Sequence, residues 1–129
     1  MKYKVIFESF AERHFIRSFA KKHKNAWERT RKGLELEFSF IDKLFTTNIA
    51  ETISLSPDND LKICKTKFKI VGTAVSRHAS GNRCIIAICE SAKSVHVLLV
   101  YCKGDLGDNE TAKWKSHVKD NYPQYAGLV

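Results

Sequence analysis

The sequence predicts an α+β fold in which helices and strands form separate blocks. Three observations predict it. Apolar residues recur at helical spacing between residues 9 and 45, the period drops to two after Asp60, and a capped helical segment returns after Lys103. The chain has 129 residues, which fits one domain spanning 1–129. A domain of this size buries roughly two-thirds of its unfolded surface, enough for a core without staples.

The first element is KYKVIF, where Tyr3, Val5 and Phe7 alternate with Lys2, Lys4 and Ile6 as in a strand. Ser9 and Glu12 match a capping box, in which each side chain satisfies a free backbone N–H at a helix start. Phe10, Phe15, Ile16 and Phe19 then form an apolar helical face that ends at the basic KKHK, suited to the negative end of the helix dipole. Asn25 is placed to cap a second helix carrying Trp27, Leu34, Phe38, Ile41 and Phe45. Gly33 weakens its middle by about 1 kcal/mol relative to alanine and permits a bend. TTNIAETISLSPDND reads as a connector with one short strand around residues 52–55 and a turn at Pro57 to Asp60.

From Leu61 the pattern is LKICKTKFKIVGTAV. Lys65, Lys67 and Lys69 point one way, and Cys64, Thr66, Phe68 and Ile70 the other. RCIIAIC and VHVLLVYC are denser apolar runs, expected of central strands covered on both faces, with ESAKS as the hairpin turn between them. NETAKWKSHVKD closes as a C-terminal helix, with Asp108 or Asn109 as cap and Pro123 beyond its end.

The formal net charge is +8, and it is uneven. Residues 1–60 carry 11 Lys and Arg against 9 Asp and Glu, whereas residues 61–129 carry 11 against 5. No carboxylate lies between Leu61 and Cys89, a stretch that includes RHASGNR at residues 77–83. Such a balance favours a polyanion or an acidic protein partner; a solvated basic face is the plain alternative. No apolar run approaches the roughly 20 residues of a membrane span. MKYKVIFES meets a glutamate and a serine too early for a signal peptide, so a cytoplasmic protein without membrane contact is expected. Cys64, Cys84, Cys89 and Cys102 form no C-x-x-C pair and are expected as reduced, mostly buried thiols. No Gly-rich phosphate loop, H-E-x-x-H or G-x-S-x-G occurs, and helix capping accounts for Asp105 and Asp108, so neither a metal nor an organic cofactor is expected.

What remains is cationic. Arg77, His78, Arg83 and Lys103 are the sharp candidates, with Lys62, Lys65, Lys67 and Lys69 as a supporting face. Antiparallel pairing brings the start of one strand beside the end of the next, so Arg83 and Lys103 fall at one end of the sheet with the turn bearing Arg77 and His78. Arginine presents a planar fork that matches phosphate oxygens. Preorganised cations stabilise developing negative charge, and a lysine crowded by cations can accept a proton from a ribose hydroxyl. RNA supplies its own nucleophile, the 2′-hydroxyl, so cleavage there needs no metal. The same lysines would also serve as a solvated strand face or as edge protection. His96, inside VHVLLV, is expected to be a hydrogen-bonded sheet histidine, and Trp114 a core residue.

The stretch from Leu61 to Val118 resembles the RelE/ParE superfamily of toxin–antitoxin toxins, and within it the HigB-like branch. A basic strand leads to the turn SRHASGNR, then to CIIAIC, then to VHVLLVYCKGDLGDNE, which ends in a basic residue and a polar turn. The resemblance implies a small RelE-like fold. Its twisted, mainly antiparallel sheet combines the N-terminal strand with a three-strand C-terminal meander, packed against two N-terminal helices, with a short C-terminal helix. Ribosome-dependent members cleave mRNA in the ribosomal A site without a metal. Carried over by position, Lys65 and Lys67 match the basic strand before the turn, Arg77 and His78 the variable basic turn, Arg83 the arginine opening the next strand, and Lys103 the basic residue after the last one. Lys62, Lys69, Lys115 and His117 are then candidates for RNA contact. Some relatives place a catalytic tyrosine in or near the last helix; here that region offers Trp114, Lys115 and His117, with Tyr122 and Tyr125 after it. The acid that protonates the leaving oxygen is therefore His78 or His117.

The expected function is that of a type II toxin, a ribosome-dependent mRNA endoribonuclease that leaves a 2′,3′-cyclic phosphate and is neutralised by a cognate acidic antitoxin. Two other classes stay open. A ParE-like DNA gyrase inhibitor shares the fold without needing the clustered cations, and a non-catalytic RNA-binding domain would show a steep salt dependence.

Overall fold

The computed structural model describes residues 2–129. Its sheet has five strands in the order β1-β5-β4-β3-β2: β1 Lys4–Phe7, β2 Ala50–Leu55, β3 Leu61–Phe68, β4 Asn82–Cys89 and β5 Ser94–Cys102. β1 runs parallel to β5, and the other neighbours are antiparallel. The two densest apolar runs, β4 and β5, take the interior of the sheet because both their faces are covered.

One face packs under the N-terminal helices. Helix α1 covers residues 9–23: it starts as Ser9–Ala11, widens into a π-helical turn at Glu12–Ile16 and continues as Arg17–His23. Helix α2 is Asn25–Ser39, followed by a 3₁₀ segment at Ile41–Thr46. Trp27, Phe38 and Ile41 from this layer meet Cys64, Phe68, Cys84 and Ile86 from the sheet. The short helices α3 (Arg77–Ser80) and α4 (Lys103–Leu106) follow β3 and β5. Helix α5 (Glu110–Asn121) covers the opposite face, where Trp114 and Val118 pack with Tyr122 and Tyr125 on Ile63, Ile85 and Leu99. A β-bulge at Leu98 turns two consecutive leucines into this second core: Ile85 pairs with Leu99 and Ile86 with Val97.

The alternation read along β3 holds: Cys64, Thr66, Phe68 and Ile70 are buried, and Lys69 is exposed. Several local expectations are corrected. The Ser9–Glu12 capping box does not form; Glu8 holds the cap position without a side-chain cap bond, Glu12 pairs with Arg31, and Glu8 pairs with His96. Asn25 is the first helical residue rather than the cap, because Lys24 makes the break at φ 43°. Gly33 does not interrupt α2, and nothing approaches its missing Cβ within 4 Å. The connector strand is longer than expected and joins the sheet as the edge strand β2. The Ser-Gly-Asn turn is a capped helical turn instead. Ser76 Oγ accepts from the Ala79 N–H at 3.1 Å, and Gly81 ends α3 at φ 75°, where a side chain is disfavoured.

All four cysteines are free; Cys64 and Cys84 are buried, and burial pushes the Cys64 thiol up to about 12. Among the described residues no helix is long and apolar enough to cross a membrane.

Candidate functional site

Register builds the site. Lys67 opposes Arg83 across β3 and β4, and Arg83 opposes Tyr101 across β4 and β5. Directly opposed residues share a face with Cβ atoms about 4.5–5.5 Å apart, so the three form one row. The row lies on the face that α5 covers, because Tyr101 belongs to the second core. Lys65 lies in the next row on that face, opposite Ile85. Lys103 follows β5 directly, and its N–H donates to the Gly81 carbonyl at 2.9 Å, which ties the end of β5 to the start of β4.

Glu110, in the first turn of α5, reaches down onto this cluster. Its carboxylate accepts from Lys65 Nζ at 2.7 Å and from the Tyr101 hydroxyl at 2.5 Å, with Lys103 Nζ at 3.8 Å. Burial pushes Glu110 up, but the hydrogen bonds from Lys65 and Tyr101 and the charges of Lys65 and Lys103 outweigh it. The carboxyl is held below its ordinary range. Burial first, then the bond to Glu110, drives Tyr101 well above the usual phenol range, so its hydroxyl stays protonated.

Arg83 is only 2% exposed. Its guanidinium donates to the carbonyls of Asn82 at 2.9 Å, His78 at 3.2 Å and Arg77 at 3.3 Å. It therefore braces the α3 turn from beneath. Arg77 turns the other way and donates to both carboxylate oxygens of Glu37 on α2, at 2.5 and 3.0 Å. Carboxylates from outside this stretch of sequence, Glu37 and Glu110, thus offset its charge, while Arg83 is satisfied by backbone carbonyls within it. Lys67, half-buried, and His78, exposed, make no side-chain hydrogen bond or ion pair among the described residues.

Lys65, Lys67, Arg83 and Lys103 come together, with Arg77 and His78 on the adjoining turn. Four other candidates lie elsewhere. Lys62 is near the opposite end of β3, over the Phe45 ring at 4.6 Å, on the face of the N-terminal helices. Lys69 lies beyond the end of β3 and carries no partner among the described residues. Lys115 lies over Trp114, and His117 packs against Phe15 at 5.5 Å in the seam between α5 and α1. Tyr101 and Glu110 are the two site residues that the sequence reading missed. Tyr101 was hidden by the bulge at Leu98: counted from the Cys89–Ser94 pair, hairpin register sets Val100 beside Arg83, and the extra residue brings Tyr101 there instead. Glu110 was hidden, because its role depends on how α5 docks. Among the described residues, no group of three or more His, Cys, Asp or Glu is placed to hold a metal ion.

Glu110 sets a pH dependence. Its folded pKa lies below the unfolded value near 4.5, so its contribution to stability is present above pH 4.5 and is lost as the pH falls through the folded value. The melting temperature of the wild type should exceed that of Glu110→Gln near neutrality, and the gap should close below pH 4.5. Thermal melts across that range check this; a gap that widens in acid would refute it.

No protein-family model matches the sequence, and comparison with curated proteins finds no match. Among solved structures, the chain is similar to a chain of the archaeal RelE–RelB complex from Pyrococcus horikoshii OT3, with a TM-score of 0.51 and 16% identity, covering 81% of this chain and 98% of that one. The fold is RelE-like.

Proposed function

We propose that this RelE-like chain is the toxin of a type II toxin–antitoxin pair and cuts mRNA on the ribosome without a metal. The observation that carries this reading is the convergence of Lys65, Lys67, Arg83 and Lys103 on one end of a RelE-like sheet, beside the turn of Arg77 and His78. The ribose 2′-oxygen attacks the adjacent phosphorus, the bond to the 5′-oxygen breaks, and the product ends in a 2′,3′-cyclic phosphate. The Lys67 amine takes the 2′-hydroxyl proton, and His78 gives a proton to the departing 5′-oxygen. Lys65 and Lys103 meet the phosphate oxygens once Glu110 gives way to them. Arg83 holds the α3 turn that carries His78. A net charge of +8 suits an acidic antitoxin laid over this end of the sheet.

The test is a defined mRNA in a purified translation system containing a metal chelator matched to ribosome stability, with end-mapping of any cut. Cuts that need ribosomes and fall in the A site support the reading. Intact mRNA at protein levels that arrest growth in cells would sink it. A non-catalytic RNA binder would lose affinity steeply with salt and leave the mRNA whole.

A further inference from the structure

Glu110 is held as a bound anion would be. Its Oε2 accepts from Lys65 Nζ at 2.7 Å and from the Tyr101 hydroxyl at 2.5 Å, and its Oε1 faces Lys103 Nζ at 3.8 Å. Donors from β3, from β5 and from the start of α4 thus converge on one carboxylate. Lys67 and Arg83 stand in the row beside them. Charge-assisted hydrogen bonds of this kind make an anion site, and the chain fills it with its own side chain. The filling is incomplete. Lys103 stays beyond hydrogen-bond reach of the carboxylate and its side chain is 48% exposed, so the site opens to solvent on that side.

The turn that carries Glu110 is lightly attached. Glu110 opens α5, and Thr111, Ala112 and Lys113 after it are exposed. Trp114 is the first residue of the helix to enter the core. No side chain caps the helix start, and the chain enters it through Gly107 at φ 69° and Asn109 at φ 61°. Lys113 Nζ donates to the Leu106 carbonyl at 2.6 Å, inside the same loop, and so does not tie the turn to the sheet. The carboxylate of Glu110 is therefore what fastens the first turn to the basic row. That turn can unwind while Trp114 and Val118 keep the rest of α5 docked, because uncapped termini are the low-stability end of a structure. The donors also choose the occupant. A carboxylate satisfies Lys65 and Tyr101 and falls short of Lys103; a phosphate spreads its oxygens wider and reaches all three. We propose that Lys65, Tyr101 and Lys103 form a phosphate site that the chain keeps closed with Glu110, and that the first turn of α5 unwinds when a phosphate takes the carboxylate's place. This deepens the ribonuclease reading and rests on it for one point, that the phosphate belongs to RNA.

The experiment is a ¹H–¹⁵N NMR titration of the full chain with inorganic pyrophosphate at constant ionic strength, with acetate as the carboxylate control. In the wild type, pyrophosphate should shift the backbone signals of Tyr101 and Lys103 together with those of Gly107, Asn109 and Thr111, while the Trp114 indole N–H stays in place. Glu110→Gln keeps the shape of the side chain and removes its charge. It should lower the dissociation constant of pyrophosphate roughly tenfold or more, as expected when a charged hydrogen-bond partner ceases to compete. Glu12→Gln makes the same change in net charge beside Arg31, and should alter that constant by less than about twofold, since salt screens distant charges. Binding to Glu110→Gln no tighter than to the wild type, or first-turn signals that stay still while Tyr101 and Lys103 respond, would overturn the proposal. So would acetate that moves the turn as well as pyrophosphate does, since the site would then suit the carboxylates of an acidic partner. Pyrophosphate is not the substrate of the cutting reaction, so the two readings fail separately. A turn that opens to pyrophosphate in a chain that leaves mRNA whole removes the ribonuclease and keeps the site. Cleavage of mRNA with no response of the turn does the reverse.

Discussion

Lys67→Met should lower ribosome-dependent cutting of mRNA about 100-fold or more while leaving the protein folded. Methionine keeps the aliphatic stem and removes the amine. The Lys67 side chain has no hydrogen bond or ion pair among the described residues, so its loss leaves no group without a partner. Substitutions of that kind change stability by about 0.5 kcal/mol or less. Removing a positioned general base costs about 10²–10⁴ in rate. Single-turnover cleavage and a thermal melt, run on the same preparation, check both halves. A variant that cuts at the wild-type rate would remove Lys67 from the chemistry. Arg83→Ala would be a poorer probe, although the sequence marks Arg83 as strongly. Its guanidinium bonds three backbone carbonyls. Hydrogen bonds to charged groups are worth about 1.5–3 kcal/mol each, so that variant loses the α3 turn along with any catalytic role.

The contrast between Lys67 and Arg83 shows where sequence reasoning reached and where it stopped. Period two and hairpin register are local rules, and they place Lys65, Lys67, Arg83 and Lys103 at one end of the sheet without further information. What each side chain touches there is decided over long distances in sequence. Arg77 meets Glu37 across 40 residues, and His96 meets Glu8 across 88. The Ser9–Glu12 capping box fails for the same kind of reason: Glu12 is taken by Arg31, 19 residues on. Lys62 is a different kind of miss. Its even number along β3 already put it on the face of Cys64, away from Lys65 and Lys67. Counting charge rather than following alternation placed it in the site.

Trp114→Ala should destabilise the protein by about 3–5 kcal/mol, the range for truncating a large core aromatic. Trp114 is 1% exposed and packs in the second core. Helix α5 has 12 residues, too few to be stable alone in water, so its docking depends on Trp114, Val118 and the two tyrosines that follow. Loosening α5 also withdraws Glu110 from Lys65 and Tyr101. The variant should therefore bind a short single-stranded RNA more tightly than the wild type under conditions where it is still folded, because a carboxylate has left the cations. Denaturant melts and RNA binding at fixed salt measure the two effects. Trp114→Phe separates them. The indole Nε1 has no hydrogen-bond partner, so phenylalanine removes an unsatisfied donor along with some volume. Its cost should stay under about 1.5 kcal/mol, the usual ceiling for a near-isosteric apolar swap, and Glu110 should hold its place. Weaker RNA binding in Trp114→Ala at full folding would mean that α5 contributes to the RNA surface rather than covering it.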